Sequence, residues 1–183
     1  MPARTCPLAL TMALAVTGMA SCSGRPPRRD PTGETFPALR GQSLDGVERQ
    51  LPGDLIGAPA LLLIGFKMET QFDLDRWILG AQQVGLKVKI LELPTLPGLL
   101  PGLFAATIDG GMRRGIPRED WPSVVTIYGD AKVLEQFVGS EDPLPGRIVL
   151  IDAAARVVFF HDRGFSAGAL QRLAAVLHDL QGP

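Results

Sequence analysis

The sequence is poor in cysteine, in excess charge and in long apolar runs. Its two cysteines, Cys6 and Cys22, both lie within the first 22 of 183 residues. The remainder of the chain therefore has no thiol for disulfide bonds, thiol catalysis or thiolate ligation of a metal. The formal net charge is −1 at pH 7. A net charge this close to zero gives no indication of the basic surface that is typical of nucleic-acid-binding proteins. We therefore expect no nucleic-acid partner.

The N-terminus is typical of an exported protein. Arg4 lies in a short head, an apolar run covers residues 7–16, and small residues follow. This run is shorter than the ~20 residues that a membrane-spanning helix needs. The pattern therefore predicts a signal peptide that is removed, not a permanent anchor.

Met19-Ala20-Ser21-Cys22 resembles the lipobox of bacterial lipoproteins. The resemblance implies that residues 1–21 are a cleaved lipoprotein signal peptide and that Cys22 carries acyl chains such as palmitate, which bind the membrane. It implies a lipid-anchored protein on the exported, periplasmic face of the cell membrane or the outer membrane. Ser23, in place of Asp, favours the outer membrane. The alternative is ordinary cleavage near Ala20, which leaves Cys22 unmodified.

The mature chain divides into a tether and one domain. Residues 22–35 are rich in proline and arginine without apolar periodicity, which predicts a flexible tether. Residues 36–183 alternate strand-like and helical segments, which predicts a single α/β domain. We predict strands at 60–66, 86–93 and 123–128, helices at 72–84 and 130–138, a hairpin over 147–160 and a last helix from Ser166.

This element order, after a Phe-Pro-x-Leu-x-Gly lead-in at residue 36, resembles the thioredoxin superfamily. The layout is similar to that of peroxiredoxins and membrane-tethered thioredoxin-like proteins. The resemblance implies a central mixed sheet flanked by helices. In those relatives a reactive cysteine follows the strand that ends in Phe. Here Phe66 is followed by Lys-Met-Glu-Thr-Gln-Phe-Asp-Leu, so the resemblance implies a redox-inactive member.

A narrower resemblance is to the thioredoxin-like assembly factors of mitochondrial ATP synthase, which are chaperones for a membrane subunit. It is carried by Leu63–Phe66 with Trp77, by residues 112–118 and by residues 146–152. This resemblance implies a protein-binding or assembly-factor module whose partner is an envelope or membrane protein. It implies no cofactor.

The loop after the predicted central strand is the first candidate site. Its polar residues could form a ligand or partner site, or could act with residues up to 73 in a cysteine-independent enzyme or small-ligand binder. The alternative is that they cap the following helix. The residues are Glu69, Thr70 and Gln71.

The densest basic segment of the domain is the second candidate site. It follows an apolar segment, and an apolar patch edged by arginines is typical of a docking surface. The alternative is a solvated surface over a core. The residues are Arg113, Arg114 and Arg118.

Three smaller features of the sequence concern a proline, an adjacent histidine and aspartate, and metal or cofactor motifs. Pro145 lies before the hairpin, where thioredoxin-like domains have a cis-proline, so the resemblance implies a cis peptide bond there. The alternative is a trans bond in a loop, the common state of X-Pro bonds. His161 and Asp162 are adjacent on a predicted strand and point to opposite faces, so we expect surface residues and not a catalytic pair. Two separated histidines, His161 and His178, form no zinc set, and no phosphate- or dinucleotide-binding motif is present, so we expect no metal and no cofactor.

Overall fold

A computed structural model describes residues 24–96 and 105–182. Residues 1–23, which include the predicted signal peptide and Cys22, residues 97–104 and Pro183 lie outside the described residues. The described part contains seven strands and four helices. The strands are β1 Leu39–Ser43, β2 Glu48–Leu51, β3 Ala60–Gly65, β4 Lys89–Pro94, β5 Val125–Thr126, β6 Arg147–Ile151 and β7 Val157–His161. The helices are α1 Gln71–Gln83, α2 Ala105–Gly115, α3 Ala131–Val138 and α4 Ala167–Gln181, with 3₁₀ turns at Gly53–Leu55, Met68–Thr70 and Arg118–Ser123.

The central sheet has the order β4-β3-β6-β7. β3 is parallel to β4 and antiparallel to β6, and β6 forms an antiparallel hairpin with β7. Every residue of β3 is buried. Since alternate strand residues point to opposite faces, Leu62 and Ile64 pack into one core and Leu61 and Leu63 into the other. The prediction of a central strand covered on both faces is confirmed.

Helices cover both faces of this sheet. Trp77 of α1 and Leu173 of α4 lie in one core, and Leu134 and Phe137 of α3 lie in the other. This confirms the predicted α/β class with a mixed sheet flanked by helices. Among the described residues, no helix combines the length and the apolar character that a membrane span requires.

The final helix begins as predicted. The Ser166 side chain accepts a hydrogen bond from the Ala169 N–H at 3.1 Å, which satisfies one free donor of the first turn. Four leucines lie on one face of this helix. Leu170, Leu173 and Leu177 are buried, whereas Leu180 is 37% exposed and lies beyond the core.

A second, three-stranded sheet has the order β2-β1-β5. Asp45 and Gly46 lie in the turn of the β1–β2 hairpin, where the Gly46 N–H donates a hydrogen bond to the Ser43 carbonyl at 2.8 Å. β5 is shorter than the predicted strand over 123–128 because the 3₁₀ turn runs up to Ser123. Isolated parallel bridges, Glu92 with Val124 and Thr95 with Ile127, join this region to β4.

The prediction of a flexible tether is wrong for residues 26–35, which pack against the domain. The Pro26 carbonyl accepts a hydrogen bond from the Ser140 N–H at 3.1 Å. The Arg28 Nε lies 2.8 Å from Oδ2 of Asp162, a residue that is 7% exposed. Composition could not predict this contact, because the partners of the tether lie more than 100 residues further along the chain.

Candidate functional site

The candidate loop follows the carboxyl end of β3. Lys67 leads into the 3₁₀ turn Met68–Thr70, and α1 begins at Gln71. Thr70 is completely buried, and its Oγ1 donates a hydrogen bond to the carbonyl of Pro143 at 3.2 Å. Its side chain makes no cap bond to α1, so the alternative that these residues cap the helix does not hold for Thr70. Thr70 instead joins the loop to the segment before β6.

Asp73 makes a second connection between α1 and neighbouring loops. Its carboxylate accepts hydrogen bonds from the Gly146 N–H at 2.9 Å and from the Phe165 N–H at 2.7 Å. Both donors belong to backbone that is not in a helix or a strand. Asp73 therefore fixes the positions of the loops before β6 and before α4, and both carboxylate oxygens are used in doing so.

Arg147 is a buried cation beneath the same loops. It is 1% exposed, and its guanidinium donates to three backbone carbonyls, those of Gly139, Asp142 and Pro145. Its guanidinium carbon lies 5.6 Å from the centre of the Phe66 ring, at the end of β3. Burial lowers the pKa of the guanidinium. Arg147 thus holds residues 139–145 against the start of the loop.

The outer surface of these loops is apolar. Met68 is 89% exposed, Phe72 is 74% exposed and Leu144 is 55% exposed. Met68 and Phe72 are four residues apart across the start of α1, and Leu144 follows Pro143, the partner of Thr70. We call Met68, Phe72 and Leu144 the loop patch.

Acidic groups lie beside the loop patch. Gln71 Nε2 donates to Asp75 Oδ1 and to Glu92 Oε2, both at 2.9 Å, so it bridges two carboxylates. Burial raises the pKa of Glu92, and the negative charges of Asp75 and Asp120 raise it further. Glu69 is exposed on the loop itself.

The loop after β3 has no side chain that is both nucleophilic and held in place by a neighbouring base among the described residues. The loop has no thiol, and Met68 is a thioether that cannot ionise to a nucleophile. Thr70 and Asp73 are occupied by structural hydrogen bonds, and Glu69 has no described partner that would position it. Within 24–96 and 105–182, no group of three or more His, Cys, Asp or Glu could hold a metal ion. A surface groove lined by residues such as Arg40, Pro52 and Asp130 includes no residue of the loop.

Of the two alternatives for Pro145, cis and trans, the structure has the trans bond. In the described residues the cis peptide bond is Leu51–Pro52. The Pro145 carbonyl binds Arg147 and the next N–H, of Gly146, binds Asp73, so the trans backbone here has hydrogen-bond partners on both sides.

The basic segment is also largely self-paired. Arg113 Nε donates to the Leu44 carbonyl at 2.7 Å, and Arg113 and Arg118 lie 5.6 and 5.7 Å from the Trp121 ring centre. Trp121 Nε1 donates to the Ile116 carbonyl at 3.0 Å. Arg114 is exposed and lies outside this stack. The structure thus brings two of the three predicted docking arginines together, on a tryptophan.

His161 and Asp162 have separate partners, as strand geometry predicts. His161 Nε2 lies 2.8 Å from the Gly164 carbonyl, whereas Asp162 faces Arg28. Asp162 is buried, so the expectation of a surface residue is wrong for it: the tether covers it.

Sequence reasoning missed Phe72 and Arg147 as site residues. The buried face of α1 contains Leu74, Trp77 and Ala81. At 100° per residue Phe72 lies on the opposite face of this helix, so a helical projection predicts that Phe72 is exposed. No local pattern marks Arg147, because its three carbonyl partners lie in a loop of irregular backbone.

Solved structures share this architecture. The pneumococcal exposed lipoprotein thioredoxin from Streptococcus pneumoniae strain TIGR4 superposes with a TM-score of 0.53 at 15% identity, covering 76% of this chain and 98% of its own. A SCO1/SenC family lipoprotein from Bacillus anthracis str. Ames has a TM-score of 0.56 at 14% identity, covering 85% and 99%. A thiol peroxidase from Chromobacterium violaceum has a TM-score of 0.54 at 14% identity, covering 82% and 90%.

The fold is thioredoxin-like. The similarity covers most of the chain in each case but stays at or below 15% identity, so it establishes the architecture alone. No protein-family model matches the chain. A search of curated proteins gives no match either. Two of the three similar structures are described as lipoproteins.

Proposed function

We propose that this chain is an exported lipoprotein, attached to the membrane through Cys22, whose thioredoxin-like domain binds an envelope or membrane protein and performs no thiol chemistry. The observation that carries the proposal is the loop patch. Met68 and Phe72 are exposed in the segment where the resemblance places a reactive cysteine, and Leu144 is exposed on the adjoining loop. Thr70, Asp73 and Arg147 beneath them are occupied by structural hydrogen bonds.

Large exposed apolar side chains gathered at one place favour a binding surface, because they are normally buried against a partner. Pre-organisation supports the same conclusion. Thr70, Asp73 and Arg147 fix the loops that carry Met68, Phe72 and Leu144. A partner that binds such a surface loses little free energy to ordering it.

Membrane attachment is supported by the N-terminal sequence and by fold neighbours that are described as lipoproteins. Acylation of Cys22 would also remove the last free thiol of the mature chain. A role as an assembly factor, by resemblance to the ATP synthase chaperones, is the specific form of partner binding that we favour.

The alternative, a cysteine-independent enzyme or small-ligand binder that uses residues 69–73, has less support. It requires side chains that are free to act, and both Thr70 and Asp73 are occupied by backbone partners.

Membrane attachment is tested by intact-mass analysis of the protein purified from membranes. We expect a chain that begins at Cys22 with acyl chains attached, and a Cys22→Ser variant that is released from the membrane. An unacylated Cys22 in a chain cleaved near Ala20 would contradict this part of the proposal.

Partner binding is tested with Phe72→Asp and, as the matched control, Leu79→Asp. Leu79 is 58% exposed on the same helix but belongs to neither the loop patch nor a core. We expect Phe72→Asp to lose a partner that co-purifies from membranes and Leu79→Asp to retain it. Disulfide reduction by the mature chain at the rate of an ordinary thioredoxin would contradict the proposal.

A further inference from the structure

We propose that the loop patch receives a membrane-protein segment whose apolar side chains are flanked by lysine or arginine. This inference rests on the proposed function and specifies the partner. It follows from three features: the exposed apolar side chains of the patch, the charge beside it and the position of the docked tether.

The patch consists of three exposed apolar side chains, which suits a short segment. Met68 and Phe72 lie one helical turn apart, and Leu144 stands on the loop that Thr70 and Asp73 hold against this turn. Exposed apolar groups of this kind fit between the side chains of a partner helix or strand.

The charge beside the patch is mostly negative. Exposed carboxylates on its two loops and on α1 are Glu69, Asp75, Glu141 and Asp142, and Glu92 and Asp120 lie beyond Gln71. The exposed bases nearby are Lys67, Arg76 and Arg163. The arginines closest to the loop interior are engaged, Arg147 with carbonyls and Arg28 with Asp162. An interface of this polarity attracts a basic segment and repels an acidic one.

The docked tether limits where the partner can lie. The four steps from Cys22 to Pro26, where the chain is bonded to Ser140, span at most about 14 Å when fully extended. Leu144 is again four steps from Ser140, at most about 14 Å away. A lipid on Cys22 therefore keeps the patch within about 30 Å of the bilayer surface, by the same limit. Segments of a membrane protein that emerge from the bilayer on the same face lie in this zone.

The test uses the soluble domain, residues 24–183, in nuclear magnetic resonance titrations with two synthetic peptides of identical apolar core. One peptide has lysine at both flanks and the other has glutamate. We expect the lysine peptide to shift the amide resonances of residues 67–72 and 143–146 and to bind at least about fivefold more tightly, with an affinity that falls as salt is added.

Charge-reversal variants make the test specific. Glu69→Lys with Asp75→Lys should reverse or abolish the preference for the lysine peptide. The control pair, Glu48→Lys with Asp179→Lys, changes net charge equally on β2 and at the end of α4, and should preserve the preference. Thermal unfolding of both pairs checks that the fold is kept.

Equal binding of the two peptides, a preference for the glutamate peptide, or a preference that the Glu69 and Asp75 reversal leaves intact would overturn the inference. Patch resonances that shift with phosphatidylcholine vesicles and with neither peptide would also overturn it, and would assign the patch to lipid. None of these results affects the loss of a co-purifying partner in Phe72→Asp, so failure of the inference is distinguishable from failure of the proposed function.

Discussion

Two surfaces of this domain contain large side chains that a partner could recognise, and they are built in opposite ways. In the loop patch, polar groups are occupied beneath the surface and apolar groups face outward. Around Trp121, the aromatic ring is covered by Arg113 and Arg118, and the polar groups bond to the chain itself. An apolar group that its own chain leaves uncovered is the better indication of a partner than a charged group that its own chain already contacts.

Removal of the buried cation Arg147 should have the largest effect on the stability of the loops under the patch. Arg147→Met leaves three carbonyls without their donor, and we expect a loss of about 3 kcal/mol in the free energy of unfolding. Arg113→Met removes one hydrogen bond and a contact with Trp121 in a half-buried position, so we expect about 1 kcal/mol. Urea denaturation measures both, and equal losses would show that Arg147 does not organise the loops.

The close approach of Gly146 to α1 gives the next largest effect. A Cβ at this position would lie 2.4 Å from Leu74 Cδ2, inside the core, and 3.3 Å from Asp73 Oδ2. We expect Gly146→Ala to cost about 2 kcal/mol through overpacking and to weaken the bond to Asp73. Gly129→Ala is the control, because nothing lies within 4 Å of its Cβ. A stability of Gly146→Ala equal to that of the control would contradict the described loop packing.

The docked tether should respond more weakly. Arg28→Ala removes the partner of Asp162, but the Arg28 side chain is 36% exposed, so solvent screening limits the expected loss to about 1 kcal/mol. Hydrogen exchange of the Ser140 amide, which is bonded to Pro26, should accelerate. Unchanged exchange at Ser140 would mean that Arg28 does not hold the tether.

Glu92, which lies beside the loop patch, should make the stability of the domain depend on pH. Its pKa is raised in the folded state, so the folded chain binds a proton at Glu92 more tightly than the unfolded chain does. The stabilisation from this proton is present below the ordinary pKa and is lost as pH rises through the raised value. Glu92→Gln should therefore increase stability more at pH 7 than at pH 4. Equal effects at the two pH values would contradict a raised pKa at Glu92, which burial and, to a lesser extent, the charges of Asp75 and Asp120 produce.

Strong periodic segments of this fold are predictable from sequence, and contacts between distant loops are not. The run Ala60–Gly65 is apolar throughout and so predicts a strand buried on both faces, and Ser166 marks a helix start. The docking of residues 26–35 depends on Asp162 and Ser140, and the site depends on Arg147, whose partners have no repeating pattern. The sequence shows directly that the loop has no thiol, and a helical projection predicts the exposure of Phe72. The exposure of Leu144 requires knowledge of what packs beside it.

The central claim is that the loop patch contacts a protein partner at the membrane. The most direct measurement incorporates a photo-crosslinking amino acid in place of Phe72 in the full-length chain, with the same substitution at Leu79 as control, and analyses crosslinks in native membranes by mass spectrometry. We expect one dominant membrane protein to be crosslinked from position 72, and much less crosslinked product from position 79. Equal crosslinking from both positions, or none from position 72, would contradict it.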